Sequence, residues 1–223
     1  MCAFLAIFAL SNSILMQSLQ SLGPVPIDSG ALSFIVGKYK SPKDKISYMV
    51  GKGEIIRLKK GLYVASSKIL GQTLNKELIA NHIYGPSYIS LESALAYYGL
   101  IPERVYLTKS ITLKRSKEFK NELGVFEYIT VPDNYYPIGI TQEKVAEKYN
   151  YLIATPEKAI CDMIVTTPGL QVRTMKSMLQ YLENDLRIDR EDWEKLNPTI
   201  IAECIASGCK KVELTQLFNL LTK

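Results

Sequence analysis

The sequence predicts an α+β protein with two domains, and three observations support this prediction. The first 70 residues combine short helical patterns with one compact pair of β-rich runs around "KKG". Strand and helix patterns then mix, and the tail from residue 170 reads as a series of helices. A chain of 223 residues with 47% hydrophobic residues can bury two cores. We therefore expect an N-terminal domain over 1–70 and a mixed α/β domain with a helical C-terminal tail over 71–223.

The N-terminal domain begins with two predicted helices. Residues 12–22 show helical spacing of apolar residues, and "GPVP" ends that helix. Asp28 or Ser29 can cap a short second helix, which Gly37 ends. The inward face of this helix holds three apolar residues: Leu32, Ile35 and Val36. The next segment, "GKYK", has the length of the tight connection inside a helix-turn-helix.

A third helix is predicted over 41–50. Ser41 is a natural N-cap, Pro42 suits the first helical position, and Asp44 stands where a capping box has Glu or Gln. The buried stripe consists of Ile46, Met49 and Val50. The outward face carries Lys43, Lys45, Ser47 and Tyr48.

The stretch "GEIIRLKKGLYV" predicts a β-hairpin directly after this helix. Two β-rich runs flank "KKG", and Gly61 can take the left-handed backbone that closes a short hairpin with a bulge. A short helix, a tight turn, a second helix and a hairpin follow one another in the order of a winged helix-turn-helix.

Positive charge is concentrated in this N-terminal part. Residues 1–75 contain nine Lys or Arg against three Asp or Glu, whereas the net charge of the whole chain is +5. Such an excess favours a polyanionic partner, and a solubilising lysine face is the alternative. A helix that enters the major groove reads base edges near its N-terminus, while the wing contacts the backbone. The predicted DNA contacts are Ser41, Lys43, Asp44, Lys45, Ser47, Tyr48, Arg57, Lys59 and Lys60.

The second domain is predicted from alternating strand and helix segments. Helices are expected at "ELIANHIY", "LESALAYYGL" and "PEKAICDMIV", and strands at "PSYIS" and "YNYLIAT". Two further strands, "RVYLTKSITLKR" and "GVFEYITVP", could pair through "SKEFKNEL". The first of them begins a secondary basic surface that comprises Lys109, Lys114, Arg115 and Lys117. An edge strand protected by lysines is the alternative interpretation.

The residue types required for common catalytic and metal sites are scarce. The only histidine is His82, and the four cysteines contain no CxxC pair, so neither a zinc site nor a cofactor is expected. Glu143 and Lys144 are adjacent and would point to opposite faces of a strand, unlike the pairing in metal-dependent nucleases. We expect no catalytic residues and no enzymatic activity.

The chain begins with the apolar run "MCAFLAIFAL", which is too short to span a bilayer and has no basic residue before it. A packed helix, a weak export signal, or an extension over 1–11 from a misassigned start could each explain it, and Met16 is a plausible true start. The cysteine pattern indicates buried thiols in a reducing cytoplasm. We expect a cytoplasmic protein without a membrane partner.

Three segments together resemble one protein family. They are "IIRLKKGLYV" (55–64), "PSYISLESALAYYGLIPE" (86–103) and "ATPEKAICDMI" (154–164), and in this order they are similar to the AbiEi family of antitoxins and transcriptional regulators. The resemblance covers roughly residues 12–165.

The resemblance implies a winged helix that binds inverted repeats in its own promoter and represses the operon. It also implies a C-terminal antitoxin domain that counters a nucleotidyltransferase-like toxin without a stable complex, in toxin–antitoxin systems of abortive phage infection. The family's DNA-contact role carries over to the 41–50 helix and to Arg57, Lys59 and Lys60. Two other functions stay open: a winged-helix scaffold that binds a protein, and a nucleic-acid-processing enzyme.

Overall fold

The computed structural model describes residues 13–37, 39–103, 105–145 and 148–223. These residues form helices and two sheets, which confirms the mixed α+β class. The proposed extension over 1–11 lies outside them. The chain divides into two compact units. The first unit runs up to Ile83 and also contains Phe119–Leu123; the second contains the described residues of 84–118 and 124–223. This division falls later in the chain than the predicted boundary near residue 70.

The first unit combines five helices with a three-stranded sheet among its described residues. Its elements are α1 (13–22), β1 (Ile27–Asp28), α2 (Ser29–Ile35), α3 (Pro42–Gly51), β2 (Ile55–Lys59), β3 (Leu62–Ala65), α4 (Ser67–Leu70) and α5 (Lys76–Ile83). The strand order is β1-β3-β2, and both pairings are antiparallel.

The core of the first unit is built from one face of each element. Leu32 of α2 and Met49 of α3 are completely buried, as the helical spacing predicts. Residues from α1, α3, the sheet and the end of α2 complete the same cluster: Leu15, Leu19, Ile27, Val36, Ile46, Ile55 and Ala65. Packing against this cluster fixes the rotation of α2 and α3 about their axes, and thereby which residues face outward.

The predicted caps of α2 and α3 have different outcomes. Asp28 caps α2, because its Oδ1 accepts from the amides of Gly30 at 2.7 Å and Ala31 at 3.0 Å. Ser41 is the N-cap residue of α3, but its hydroxyl makes no capping hydrogen bond. The predicted capping box with Asp44 is therefore wrong. The backbone of Ser41 has a ψ of 94°, whereas the capping residue Asp28 has a ψ of 161°, so the Ser41 hydroxyl is oriented differently relative to the first turn.

The hairpin of β2 and β3 has the predicted bulge and turn. Arg57 pairs with Tyr63 and Lys59 pairs with Leu62, so the register shifts between Arg57 and Lys59. Gly61 closes the turn with a φ of +80°, in the left-handed region that favours glycine.

The second unit contains most of a six-stranded sheet and the C-terminal helices. The elements from residue 84 onward are β4 (Ser87–Ile89), α6 (Leu91–Tyr97), β5 (Leu107–Thr112), β6 (Lys117–Asn121), β7 (Gly124–Thr130), β8 (Ile140–Val145), β9 (Tyr149–Ala154), α7 (Pro156–Thr166), α8 (Met175–Gln180, continued by a π-helical turn at Tyr181–Asp185), α9 (Arg190–Trp193), α10 (Pro198–Ala206) and α11 (Lys211–Leu221). The strand order is β6-β7-β5-β4-β9-β8.

Two features of this sheet differ from the sequence prediction. The segment expected to connect two paired strands contains β6, and β5 pairs with β7 in parallel. β8 was not predicted; it pairs antiparallel with β9. Both β6 and β8 lie at the edges of the sheet and have no fully buried residue, so they lack the alternating pattern that reveals a half-buried strand.

The cap of α2 provides a test of the first unit's local structure. Asp28→Ala should lower the free energy of unfolding by about 1 kcal/mol, because two amides lose their acceptor. Asp28→Asn keeps an acceptor and should lose only a few tenths of that. Urea denaturation of both variants measures the difference. Equal losses in the two variants would contradict a role for the hydrogen bonds.

Candidate nucleic-acid interface

A groove in the first unit brings together the exposed faces of α3 and the hairpin. It has a volume of about 520 Å³ and is lined by α2 and α3 on one side and by the hairpin on the other. Three of its lining residues are cations, Lys43, Arg57 and Lys60, and the described lining includes no carboxylate. We call this site the basic groove. An excess of positive charge in a concave site attracts anions.

Each cation reaches the basic groove because its neighbours are buried. Lys43 and Ser47 stand four residues apart on α3, on the side opposite to buried Met49. Arg57 is exposed between buried Ile56 and Leu58 of β2. Lys60 lies at the hairpin tip beside Gly61 and is exposed. The groove therefore follows from the amphipathic patterns of one helix and one strand.

Hydroxyl groups supply further polar contacts along the same groove. Ser47 of α3 and Ser29 and Ser33 of α2 contribute to its lining. The Ser33 hydroxyl donates to the carbonyl of Ser29 at 2.6 Å, as side chains inside a helix often do. The proton of Ser33 is therefore used within α2, whereas the small hydroxyls of Ser29 and Ser47 permit close approach of a phosphate oxygen.

Four other predicted contact residues lie on or beside α3 without lining the basic groove. Tyr48 has 55% of its surface exposed, and the ammonium of Lys45 lies over its ring at 5.4 Å and over the Tyr39 ring at 4.7 Å. Asp44 is exposed in the first turn of α3, and Ser41 is half-buried at its start. Tyr48 thus offers an aromatic surface next to the groove.

Lys59 is placed differently from the other two basic residues of the hairpin. Its Nζ donates to the carbonyl oxygen of Ile83 at 2.6 Å. The same ammonium lies 5.8 Å from the ring centroid of Phe119. Lys59 is half-buried and does not line the basic groove.

The secondary basic surface is partly neutralised within the second unit. The ammonium of Lys109 lies 2.8 Å from Glu92 and 4.0 Å from Glu127. Lys114 donates to the carbonyl of Gly85 at 2.5 Å, and its ammonium lies 5.2 Å from the centroid of the Tyr84 ring. Arg115 and Lys117 are exposed. An anion would therefore have to compete with these internal partners at Lys109 and Lys114.

The second unit also contains a buried polar cluster centred on α7. The side chains of Lys158 and Asp162 are inaccessible to solvent, and the Lys158 Nζ lies 3.3 Å from Asp162 Oδ1. Asp162 Oδ2 accepts from the hydroxyls of Ser90 at 2.6 Å and Tyr88 at 3.1 Å. The Lys158 ammonium also donates to the carbonyl of Tyr135 at 2.9 Å. We call these five residues the α7 cluster.

The α7 cluster links several elements of the second unit and offers no arrangement typical of catalysis. Its groups face other protein groups on β4, at the start of α6 and in the loop after β7. Burial raises the pKa of Asp162 even though the Lys158 ammonium and the Ser90 hydroxyl oppose this shift. The sequence analysis predicted a helix at this segment but missed both buried charges. Their i, i+4 spacing was the available signal.

Two thiols lie beside this cluster. Cys161 and Cys204 are free and completely buried. A hydrogen bond between the two thiols, together with burial, raises the pKa of Cys161. These two cysteines are core residues, as the sequence predicts, whereas Cys209 is only half-buried.

The other residues considered for catalysis or metal binding lie on separate elements, His82 on α5 and Glu143 and Lys144 on β8. His82 is exposed on α5, and partial desolvation lowers its pKa. Glu143 and Lys144 pair with different residues of β9, Tyr151 and Asn150, and alternate between a half-buried and an exposed position. Across the described parts of the chain, no group of three or more His, Cys, Asp or Glu residues could hold a metal ion.

The described helices are all too short or too polar to cross a lipid bilayer.

Comparisons with known proteins add no family assignment. No protein-family model matches the chain, and no curated protein matches it. The resemblance to the AbiEi family accordingly rests on the three segments quoted above.

The α7 cluster predicts a strong coupling between its two charges. Lys158→Met and Asp162→Asn should each lower the free energy of unfolding by about 3–5 kcal/mol, because each leaves one buried charge without its partner. The double variant should lose less than the sum of the two single losses, because it leaves neither a buried ammonium nor a buried carboxylate without its partner. Urea denaturation of all four proteins measures this, and strictly additive losses would contradict the coupling.

The same variants predict a pH dependence. Without Lys158, the folded-state pKa of Asp162 should rise further above its unfolded value, so the protonated carboxyl is favoured in the fold. In Lys158→Met, the contribution of Asp162 to stability should therefore be present at acidic pH and be lost as pH rises through that pKa. The free energy of unfolding of Lys158→Met should fall below that of Lys158→Met/Asp162→Asn by less at pH 5 than at pH 7. A deficit independent of pH would contradict this origin.

Proposed function

We propose that the first unit is a winged helix-turn-helix that binds DNA, with α3 as the recognition helix and the β2–β3 hairpin as the wing. The observation that carries this proposal is the convergence of Lys43, Arg57 and Lys60 on one groove. The element order from α2 to β3, with β1 paired to the hairpin, supports the same assignment.

The division of roles follows from the position of each side chain. α3 is ten residues long and presents Lys43, Ser47 and Tyr48 on its exposed side, where a major-groove helix contacts base edges. Arg57 and Lys60 of the hairpin line the same groove, and we assign to them the contacts with the neighbouring phosphates. Base contacts from α3 supply sequence selectivity, and the wing supplies affinity that depends on salt.

We further propose that the protein is a transcriptional autorepressor and the antitoxin of a toxin–antitoxin operon of abortive phage infection. The resemblance of segments 55–64, 86–103 and 154–164 to the AbiEi family supports this. The DNA partner is then its own promoter with inverted repeats, and the functional partner is a nucleotidyltransferase-like toxin, countered without a stable complex. The free thiols of Cys161 and Cys204 suit the reducing cytoplasm in which such an operon acts.

One observation favours protein binding as a second candidate function of the first unit. Phe34 has 89% of its surface exposed at the end of α2, next to an apolar depression of about 540 Å³ that also involves Ile14 and Tyr39. Exposed apolar patches of this kind often contact proteins. The basic groove lies on other residues of α2 and α3, so the two functions are compatible.

The basic groove predicts how binding to promoter DNA should respond to substitutions. Arg57→Ala and Lys60→Ala should each weaken binding to the DNA upstream of the gene by about tenfold. Each should also reduce the slope of log K against log salt by about 0.9, because one phosphate contact is lost. Lys68→Ala, on exposed α4 outside the groove, removes the same charge and serves as the matched control.

Fluorescence anisotropy against a labelled promoter duplex and a scrambled duplex measures both effects. Equal affinity of the wild-type protein for the two duplexes would contradict sequence-specific repression. Equal weakening by Lys68→Ala and Lys60→Ala would contradict the groove as the binding site.

The antitoxin role predicts a genetic outcome. We expect a nucleotidyltransferase-like reading frame beside the gene, whose expression alone arrests growth. Coexpression of the full chain should restore growth, and so should Arg57→Ala/Lys60→Ala expressed from an unrelated promoter, because neutralisation is proposed to reside in the second unit. Growth arrest that persists with the wild-type chain would overturn the antitoxin role.

A further inference from the structure

We propose that Lys59 is a positioning residue that holds the wing in its binding geometry, rather than a contact to DNA. This inference rests on the proposed function of the hairpin. It separates Lys59 from its neighbours Arg57 and Lys60, which share its charge and lie within three positions of it in the sequence.

The first support is the pair of contacts that the Lys59 ammonium makes with Ile83 and Phe119. Ile83 is the last residue of α5, so its carbonyl is one of the terminal groups that lack a partner within the helix. Lys59 donates to this carbonyl at 2.6 Å, where the helix dipole favours a cation. The Phe119 ring lies 5.8 Å from the same ammonium and adds a cation–π contact. A phosphate would have to displace these partners.

The second support is the bulge beside Lys59. Along a regular strand, Arg57 and Lys59 would point to the same face. The register shift between them interrupts this alternation, so Arg57 lines the basic groove while Lys59 turns to α5. A bulge also increases the local twist of a hairpin and so directs its tip.

The third support is that the bulge is held from outside the hairpin. Leu58, the extra residue of the bulge, has its carbonyl oxygen bonded to the Asn121 side-chain amide at 3.2 Å. Asn121 and Phe119 both belong to the 119–123 segment of the first unit. Lys59 and Asn121 thus fix two consecutive residues of one strand, immediately before the tip that carries Lys60.

It follows that removal of the uncharged Asn121 side chain should weaken DNA binding as much as removal of the Lys59 ammonium. Loss of either anchor lets the bulge relax, and Arg57 and Lys60 then leave the geometry in which both face the groove. The effects of losing two separate phosphate contacts on the binding free energy should add. The effects of losing two side chains that hold the same bulge should not add, because loss of either one already releases the bulge.

The test compares Lys59→Met, Asn121→Ala and their double variant with Lys60→Met as a direct-contact control, all in the full chain. Each single variant should weaken binding to the labelled promoter duplex by about tenfold. The double variant should be no more than about two- to threefold weaker than either single variant, because the same bulge is already released. Lys59→Met and Lys60→Met should likewise combine to less than the product of their separate effects.

The alternatives give different results. Wild-type affinity for Asn121→Ala, together with a loss of about 0.9 in the salt slope for Lys59→Met, would overturn the inference and make Lys59 a phosphate contact. Absence of promoter binding by the wild-type protein would instead overturn the proposed function itself. Urea denaturation establishes that each variant is folded under the binding conditions. Lys59→Arg retains a donor for the Ile83 carbonyl and should therefore bind the promoter duplex with most of the wild-type affinity.

Discussion

The packing of Ile46 and Met49 into the core of the first unit is the constraint on which the basic groove depends. Both side chains are buried, and each stabilises the unit by about 1.5–3 kcal/mol relative to an exposed position. Their burial fixes the rotation of α3 and leaves Lys43 and Ser47 toward the groove. Burial of Ile56 and Leu58 does the same for Arg57 on the hairpin. The hydrophobic pattern that folds the unit thereby also places its cations.

Electrostatics alone would not assemble this arrangement. Two like charges a few ångströms apart in water repel each other by up to about 1 kcal/mol. The free energy gained by burying Ile46 and Met49 of α3 is larger than this repulsion, so the fold tolerates three cations around one groove. A bound polyanion would convert the repulsion into attraction. In the second unit, by contrast, Lys158 and Asp162 compensate each other within the protein, and their charges serve the packing of α7 rather than an external ligand.

The parts of the fold that the sequence predicted are those with strong local signals. The stripe of α3, the Asp28 cap and the bulged hairpin at Gly61 follow from spacing and backbone preference. The edge strands β6 and β8 were missed because they have no fully buried residue to mark them. Of the hairpin cations, Arg57 and Lys60 line the groove, whereas Lys59 reaches Ile83. That difference depends on residues 24 and more positions away in the sequence, which local patterns do not encode.

An amide chemical-shift titration of the isotope-labelled full chain with its promoter duplex tests directly whether the basic groove binds DNA. We expect the largest perturbations to fall within 43–48 of α3 and 57–61 of the hairpin. They should diminish as salt is raised, because the interaction depends on phosphate neutralisation. Perturbations confined to the second unit, or to the Phe34 surface of α2, would contradict the assignment of the basic groove as the DNA-binding site.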